Sequence, residues 1–568
     1  MMMDTFQSIT PVVVQLTDFG AVPDSGLDTV IAMQRAIEAI AAMDGPVVLE
    51  CAEGRYDFYS EHAAKVPYYI SNTASEEDVP DITKTIGVLL QGLKDVTIEG
   101  NGSLFMFHGK FTMFVFELCE NIEIRNLATD FARPTMSEMT VMAIQDQTID
   151  VLIHPDSWYE LQDGQFHWIG EDWKFRDGPA QLYDPVRNVT WRVPNPITLA
   201  AHVEELEPNR LRIHFDRNSG PEAAIGYIYQ MRDGVRDQVG SFIHRSRNIT
   251  WKNVSMHYMH GLGIVGQYSE NLTLDGLLLA PRKGSGRTAA AFADCIHISG
   301  CRGQVKIVNS YFEGTHDDPI NVHGTHLRVI DHPAPDQILV RFMHGQSYGF
   351  DAFFPGDDID FINAQSLTVY GSHKIVTAER ISPREILLTL DKPAPNSIQA
   401  EDVVENVTWT PEVEIRNNYF ARVPTRGILV TTRRRVVIEE NVFEGLAMSG
   451  ILIADDAESW FESGMVNDVS IRHNRFIHCG GSEHPVIYIA PENRTVDEDH
   501  PVHQNIHIEE NIIQVTDTLV LDAKSVRNLT FRNNCIYCSD AEEKPVSINE
   551  LIRLTACSQV SIDDNKLG

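Results

Sequence analysis

Cysteine is scarce in this chain. Its 568 residues include eight cysteines, and only Cys535 and Cys538 stand in a CxxC spacing, with no second pair and no nearby histidine pair. A dense disulfide framework and a structural zinc site both need more closely spaced ligands. We therefore expect most of these thiols to be buried small apolar side chains.

Long apolar runs are also missing. No segment approaches the roughly 18 apolar residues of a membrane-spanning helix, so no membrane span is expected. The first ten residues, MMMDTFQSIT, have neither the basic nor the apolar region of an export signal. We expect either a cytoplasmic protein or a periplasmic or secreted bacterial protein whose signal has been removed, and the sequence does not separate these two.

Positively charged residues are few compared with negatively charged ones. Lys and Arg number 46 against 80 Asp and Glu, which gives a net charge of −34. A field of this sign repels nucleic acid, anionic membranes and strongly anionic polymers, so none of these is an expected partner. The apolar fraction of 43% is typical of a globular protein with a sizeable core.

Several catalytic motifs are absent as well. We find no nucleophile elbow, no glycine-rich loop that would cradle phosphate and no HExxH zinc signature. These absences leave no sequence signal for a phosphate-bearing cofactor or a zinc ion, so no cofactor is expected. Carboxylates remain as the candidates for chemistry.

The chain does contain a repeat. Each copy has a turn residue, an alternating pair of apolar residues and, in most copies, an asparagine and an aromatic residue. The copies are RNITWKN (247–253), ENLTLDG (270–276), GQVKIVNSYF (303–312), PEVEIRNNYF (411–420), RVVIEENVF (435–443), NDVSIRHNRF (467–476), QNIHIEEN (504–511), RNLTFRNN (527–534) and SQVSIDDN (558–565). A period-two strand in a unit near 23 residues predicts a right-handed parallel β-helix, with Ile307, Ile415, Ile438 and Ile471 in one interior column.

The remaining segments fit around this β-helix. Residues 17–40 predict a strand, a turn and an amphipathic helix that caps the open end. Two stretches, 140–240 and 325–410, interrupt the repeat and are predicted to be β-rich insertions with barrel or sandwich folds. They either have a structural or homo-oligomeric role or form the walls of a substrate cleft. The predicted segments are the N-terminal strand and capping helix (1–44), first coils (45–139), first insertion (140–240), catalytic coils (241–324), second insertion (325–410) and last coils (411–568).

Two adjacent aspartates, Asp317 and Asp318, precede a predicted buried strand in YFEGTHDDPINVHG (311–324). Aligning the coils makes DCIHI (294–298), DPINV (318–322) and RGILV (426–430) equivalent. Asp294 should then lie one coil, about 4.8 Å, before Asp318, and Arg426 one coil after it. Three converging carboxyls disfavour one another's ionisation, so the cluster predicts a site with protonated and ionised members. The spacing indicates catalysis, with calcium binding and a solvated corner as alternatives.

Paired carboxyls of different pKa suit the cleavage of glycosidic bonds. At this point the chain resembles glycoside hydrolase family 110, the α-1,3-galactosidases that remove terminal α-galactose from blood-group-B-type glycans. The resemblance covers nearly the whole chain and rests on DFGAVPDS (18–25), YYISNT (68–73), GNGSLFMFHGK (100–110), RPTMSEM (133–139) and, above all, DCIHISGCRG (294–303) with FEGTHDDPINVHG (312–324). It implies a metal-independent, inverting, exo-acting enzyme whose three essential aspartates match Asp294, Asp317 and Asp318.

The alignment of the coils and the family resemblance together assign a role to each aspartate. We expect Asp317, offset from the stack, to be the general acid, and Asp294 with Asp318 to form the base that holds water. Arg426 should keep Asp318 ionised, while Asp317, without such a partner, keeps its proton. Further candidates for binding the sugar are His297 and Asn321, at equivalent positions of adjoining strands, and more weakly His323, His316 and Arg282.

Three other functions stay open at this stage. A polygalacturonase-like pectinase shares the β-helix and an aspartate trio, but it would want an RxK pair close after the adjacent aspartates, and none is found. A non-catalytic glycan-binding β-helix and a calcium-dependent lyase are the others.

Overall fold

The computed structural model describes residues 10–568 apart from 163–164, 217–219, 517 and 540–546. The expectations for residues 1–9 lie outside this range. Strands dominate, and the two described α-helices are Val30–Ala41 and Pro196–Leu199. No helix in this part of the chain is long and apolar enough to cross a membrane.

Parallel strands stack into a β-helix, as predicted. One face consists of Val12–Gln15, Val47–Glu50, Lys94–His108, Glu120–Phe131, Arg247–Met256, Glu270–Asp275, Arg302–Val308, Glu412–Arg416, Val436–Glu439, Val469–Arg472, His503–Glu509, Val526–Arg532 and Ser558–Asp563. A second face consists of Thr83–Gln91, Thr112–Glu117, Val239–His244, Leu262–Gln267, Ile296–Ser299, Ile320–Ala334, Ile428–Val430, Ile451–Ile453, Ile487–Ile489, Leu521–Lys524 and Ile552–Thr555. The predicted helix Val30–Ala41 buries Met33, Ala36 and Ile40 in the same core.

The predicted interior column is confirmed. Ile307 pairs with Ile415, Ile415 with Ile438, and Ile438 with Ile471 in successive strands, and all four side chains are fully buried. Parallel coils place equivalent residues above one another, so each of these side chains packs on the next. The cysteines also agree with the sequence, since six of the eight are buried.

Asparagines form a second column at the turn after the first face. In Asn441, for example, the backbone N–H and the side-chain amide both donate to the Asn474 side-chain oxygen at 3.0 Å, and its amide also donates to the Ile415 carbonyl at 2.9 Å. The same pattern repeats at Asn418, Asn474, Asn511 and Asn534. This ladder satisfies buried backbone groups that the turn would otherwise leave unpaired.

Truncating one member of the interior column should destabilise the protein markedly. We expect Ile438→Ala to lower the free energy of unfolding by about 2–5 kcal/mol, because the rigid neighbours above and below leave a cavity. Urea unfolding would measure this. Ile381→Ala is the matched control, since Ile381 is 51% exposed and its truncation should cost less than about 0.5 kcal/mol. Equal losses in the two variants would contradict the packing argument.

The first insertion is a seven-stranded antiparallel sheet with its own apolar core. In sheet order its strands are Val189–Val193, Ala180–Asp184, Ile228–Arg232, Met136–Gln145, Thr148–Ile153, Arg210–Phe215 and Ala200–Glu207, and a small sheet of Trp158–Gln162, Gln165–Gly170 and Trp173–Phe175 lies beside it. The edge strand Val189–Val193 and the loop after Arg232 carry Arg192 and Arg236, which contact Asp317.

The second insertion is a closed antiparallel barrel. Its strands, in order around the barrel, are Ile320–Ala334, Gln337–Arg341, Glu385–Leu390, Val369–Arg380, Asp358–Ile362 and Val403–Asn406. The chain leaves the β-helix along the single strand Ile320–Ala334 and returns one coil later, because Ile320 pairs directly with Ile428. The insertion therefore does not interrupt the stacking of the coils.

Candidate active site

Asp294 and Asp318 lie one coil apart, as the alignment predicts. Ile296 pairs with Ile320, and the backbone N–H of Cys295 donates to the Asp318 carbonyl at 3.1 Å. Both aspartates and Asp317 line one cavity of about 240 Å³. The three carboxyls are thus brought together.

Arg426 reaches Asp318 from the next coil, which confirms the predicted contact. Its Nε donates to both carboxylate oxygens at 3.1 Å, its Nη2 donates to Oδ2 at 2.6 Å, and its backbone N–H donates to Oδ1 at 3.1 Å. A planar guanidinium bound in this bidentate manner fixes the orientation of the carboxylate. The Asp318 side chain is only 2% exposed.

Asp317 also has cationic partners, so the prediction that it lacks one is wrong. Arg192 Nη2 lies 3.3 Å from Oδ1, and Arg236 Nη2 lies 3.2 Å from Oδ2. Both arginines belong to the first insertion, so the spacing of the coils could not have placed them. The Asp317 side chain is 14% exposed, the most open of the three.

The protonation states follow from these surroundings. Burial raises the pKa of Asp294 to about 7, and the nearby Asp317 charge adds to that shift. Burial likewise raises the pKa of Asp318 to about 6, although Arg426 opposes it. Burial would also raise the pKa of Asp317, but Arg236 and Arg192 outweigh it and the pKa is lowered. The pKa of Asp318 therefore lies above that of Asp317, which is the reverse of the predicted order.

Two buried histidines lie behind Asp294. His323 Nδ1 lies 2.6 Å from the Gly324 carbonyl, which only accepts, so this nitrogen carries a hydrogen. His323 Nε2 lies 3.0 Å from His297 Nε2 and 3.6 Å from Glu462 Oε1. Burial lowers the pKa of His297 to about 3, so its ring is neutral. His297 Nδ1 lies 2.9 Å from Asp294 Oδ2, so this contact holds the carboxyl against the histidines.

The other predicted residues divide into three groups. Asn321 pairs in register with His297 and lines the cavity, whereas His323 lies behind it. His316 hydrogen-bonds through Nε2 to Gln230 at 3.0 Å and so supports the turn that carries Asp317. Arg282 does not lie at this site. Its Nε donates to Asp130 at 2.6 Å, and neither residue lines the cavity.

Several cavity residues were not predicted from the sequence. Asn72, from the YYISNT motif, donates to Glu462 Oε1 at 2.7 Å, and its carbonyl accepts from Arg236 at 3.2 Å. This contact ties an early coil to the last coils across the cavity. Asn72 has a left-handed backbone with φ of 59°, a conformation that asparagine tolerates. The sequence signal for it was its place in the YYISNT motif.

Trp460 is the aromatic residue at the cavity. Asp456 holds its loop in place by accepting from the backbone N–H groups of Trp460 and Phe461 and from the Ser459 hydroxyl. The indole lies 4.2 Å from the His344 ring, centre to centre, and remains 42% exposed. A fixed, open aromatic face beside carboxylates is suited to the apolar face of a sugar.

The arrangement suits acid–base chemistry on a neutral ligand. It offers one carboxyl that is 14% exposed, a second that is bound by a bidentate arginine and a third whose pKa is raised by burial to about 7. Within the described part of the chain, no group of three or more His, Cys, Asp or Glu side chains is arranged to hold a metal ion.

Comparison with known proteins agrees with this architecture. Three family descriptions match: GLAA-B beta-barrel domain I over residues 137–224, GLAA-B beta-barrel domain II over 337–404, and the right handed beta helix region over 403–567. Among solved structures, an exopolygalacturonase from Thermotoga maritima is 12% identical with a TM-score of 0.45, covering 99% of this chain and 92% of that one.

Curated relatives are much closer in sequence. Alpha-1,3-galactosidase A of Bacteroides thetaiotaomicron is 45% identical over 92% of this chain and 91% of its own length. The protein of the same name from Streptomyces avermitilis is 36% identical over 98% and 92%, and alpha-1,3-galactosidase B of Bacteroides thetaiotaomicron is 33% identical over 98% and 91%. With this identity over nearly its whole length, the chain belongs to the α-1,3-galactosidase family, which its carboxylate motifs already indicated.

Proposed function

We propose that the protein hydrolyses terminal α-1,3-linked galactose from glycans, as an exo-acting, inverting glycoside hydrolase. The observation that carries the proposal is the convergence of Asp294, Asp317 and Asp318 on one cavity. Its 240 Å³ is below the roughly 300–1,000 Å³ of most ligand sites and suits one sugar ring rather than a chain. The names of the relatives do not favour a pectinase or a binding protein.

Asp317 is the proposed general acid. It is the most exposed of the three carboxyls and lies at the turn rather than in the stack. Asp294 Oδ2 is engaged by His297 Nδ1 at 2.9 Å, so this oxygen is not free to protonate a glycosidic oxygen. Protonation of the leaving oxygen by Asp317 lets the bond between C1 and that oxygen break without releasing an alkoxide.

Asp318 is the proposed base, and Asp294 helps it to hold the water. Inversion needs a water on the ring face opposite the leaving group, with acid and base carboxyls roughly 6.5–9.5 Å apart. An acid and base stacked in neighbouring coils, about 4.8 Å apart, would leave no room for that water. The offset position of Asp317 supports its pairing with the stack.

The anomer released tests the proposal. Proton NMR during hydrolysis of galactosyl-α-1,3-galactose should show β-galactose first, because water attacks from the opposite face. EDTA should leave the rate unchanged, and polygalacturonate should not be cleaved. Initial release of α-galactose would contradict the assigned roles, and failure to cleave both the disaccharide and p-nitrophenyl α-galactoside would contradict the function.

A further inference from the structure

A second groove lies between the first insertion and the coils that follow the aspartates. Its volume is about 630 Å³, within the range of ligand sites. One wall is formed by Trp191 and Tyr227, and the other by the turns at Ala447, His478 and Ser482.

The lining of the groove is aromatic and polar. The Trp191 and Tyr227 rings meet edge to face, with centres 5.7 Å apart at 85°. The indole N–H donates to Glu222 at 3.0 Å, and across the groove the Thr516 hydroxyl lies 3.4 Å from His478 Nδ1. Arg187 and Glu222 add one charge of each sign to the same lining. Aromatic faces fixed beside hydrogen-bonding groups recognise rings with alternating apolar faces and hydroxyl edges. Sugars have this chemistry.

One strand joins this groove to the catalytic cavity. In Val189–Val193, Trp191 lines the groove, while the next residue, Arg192, contacts Asp317 at 3.3 Å. Adjacent residues of a strand point to opposite faces, so the strand separates the two spaces. On the β-helix, Gly427 N–H donates to the Ser449 carbonyl at 3.1 Å, which places the turn before Ser449 one coil beyond Arg426. The groove therefore begins about two coils, roughly 10 Å, from Asp318.

We propose that this groove binds the part of the glycan that remains after the galactose is removed. The inference rests on the proposed function, in which Asp317 protonates the leaving oxygen. The rest of the substrate must then leave the cavity past Asp317, on the side held by Arg192. The groove gives the second and later sugars an aromatic surface on that side, so it selects longer or branched oligosaccharides.

Substrate length provides the test. We would compare kcat/KM for p-nitrophenyl α-galactoside, galactosyl-α-1,3-galactose and a tetrasaccharide with the same terminal bond. Ser482→Trp fills the groove from an exposed position on the coil side, and Trp191→Ala removes the stacking ring from the other side. Each variant should lower the ratio of the tetrasaccharide value to the aryl galactoside value at least tenfold, chiefly through KM.

Trp158→Ala is the matched control, since Trp158 is 44% exposed in the same insertion and does not line the groove. It should leave the ratio unchanged. If Ser482→Trp leaves the ratio unchanged, or if it slows all three substrates equally, the groove does not bind the leaving glycan. If the wild-type protein cleaves none of the substrates, the proposed function fails before the groove is tested.

Discussion

Asp317→Asn should abolish nearly all hydrolysis of galactosyl-α-1,3-galactose. An amide cannot protonate the leaving oxygen, and a positioned general acid contributes about 10²- to 10⁴-fold to the rate. We expect kcat to fall by that factor. A dinitrophenyl α-galactoside, whose leaving group needs no proton, should retain most of its rate, because Asp318 and Asp294 still hold the water.

The difference between the rate losses that Asp317→Asn causes on the two substrates distinguishes an acid from a base. If Asp317 were the base, both substrates would slow by similar factors, and the assigned roles would be wrong. Asp150→Asn is the control, because it also removes a carboxylate paired with an arginine, Arg212 at 2.7 Å, but lies in the first insertion away from the cavity. Its kcat on both substrates should match that of the wild-type protein.

The stacking of the coils made much of this site predictable. A repeat that returns one residue to one place in each coil fixes which side chains lie above one another. The sequence repeat alone therefore predicts that Asp294, Asp318 and Arg426 lie together. The 325–410 insertion does not disturb this prediction, since it leaves and re-enters at neighbouring coils.

The error over Asp317 has a definite physical origin. Arg192 and Arg236 approach it from 125 and 81 residues away in sequence, on an edge strand and a loop of the first insertion. Insertions do not follow the period of the coils, so nothing in the repeat relates their side chains to the turn. Trp460 was missed for a related reason, because it lies in a loop between coils whose shape is set by Asp456 and not by the repeat.

The reversed protonation order changes what a pH profile reports. When the Asp317–Asp318 pair holds a single proton, the reactive form carries it on Asp317, whereas the more abundant form carries it on Asp318. Both forms hold the same number of protons, so their ratio is independent of pH. The plateau of kcat/KM should therefore end where Asp318 ionises in the free protein, near pH 6, and activity should fall above that pH.

Arg426→Met should lower and displace that plateau. Loss of an opposite charge in contact raises a carboxyl pKa by roughly 1–3 units, so the alkaline limb should move up by that amount. The proton is then held more tightly on Asp318, and the maximal kcat/KM should fall by about 10- to 1,000-fold, tenfold for each pKa unit. Arg426 also lowers the pKa of Asp317, so well above the limb the variant should gain the Asp317 proton more readily and its kcat/KM should not fall below that of the wild-type protein.

Arg426→Lys is the control, because it keeps the charge and should move the limb much less. If Arg426→Met instead raises the acidic limb and leaves the maximum unchanged, Asp318 is ionised and Asp317 protonated in the free protein. In that case the two arginines beside Asp317 do not set its protonation state.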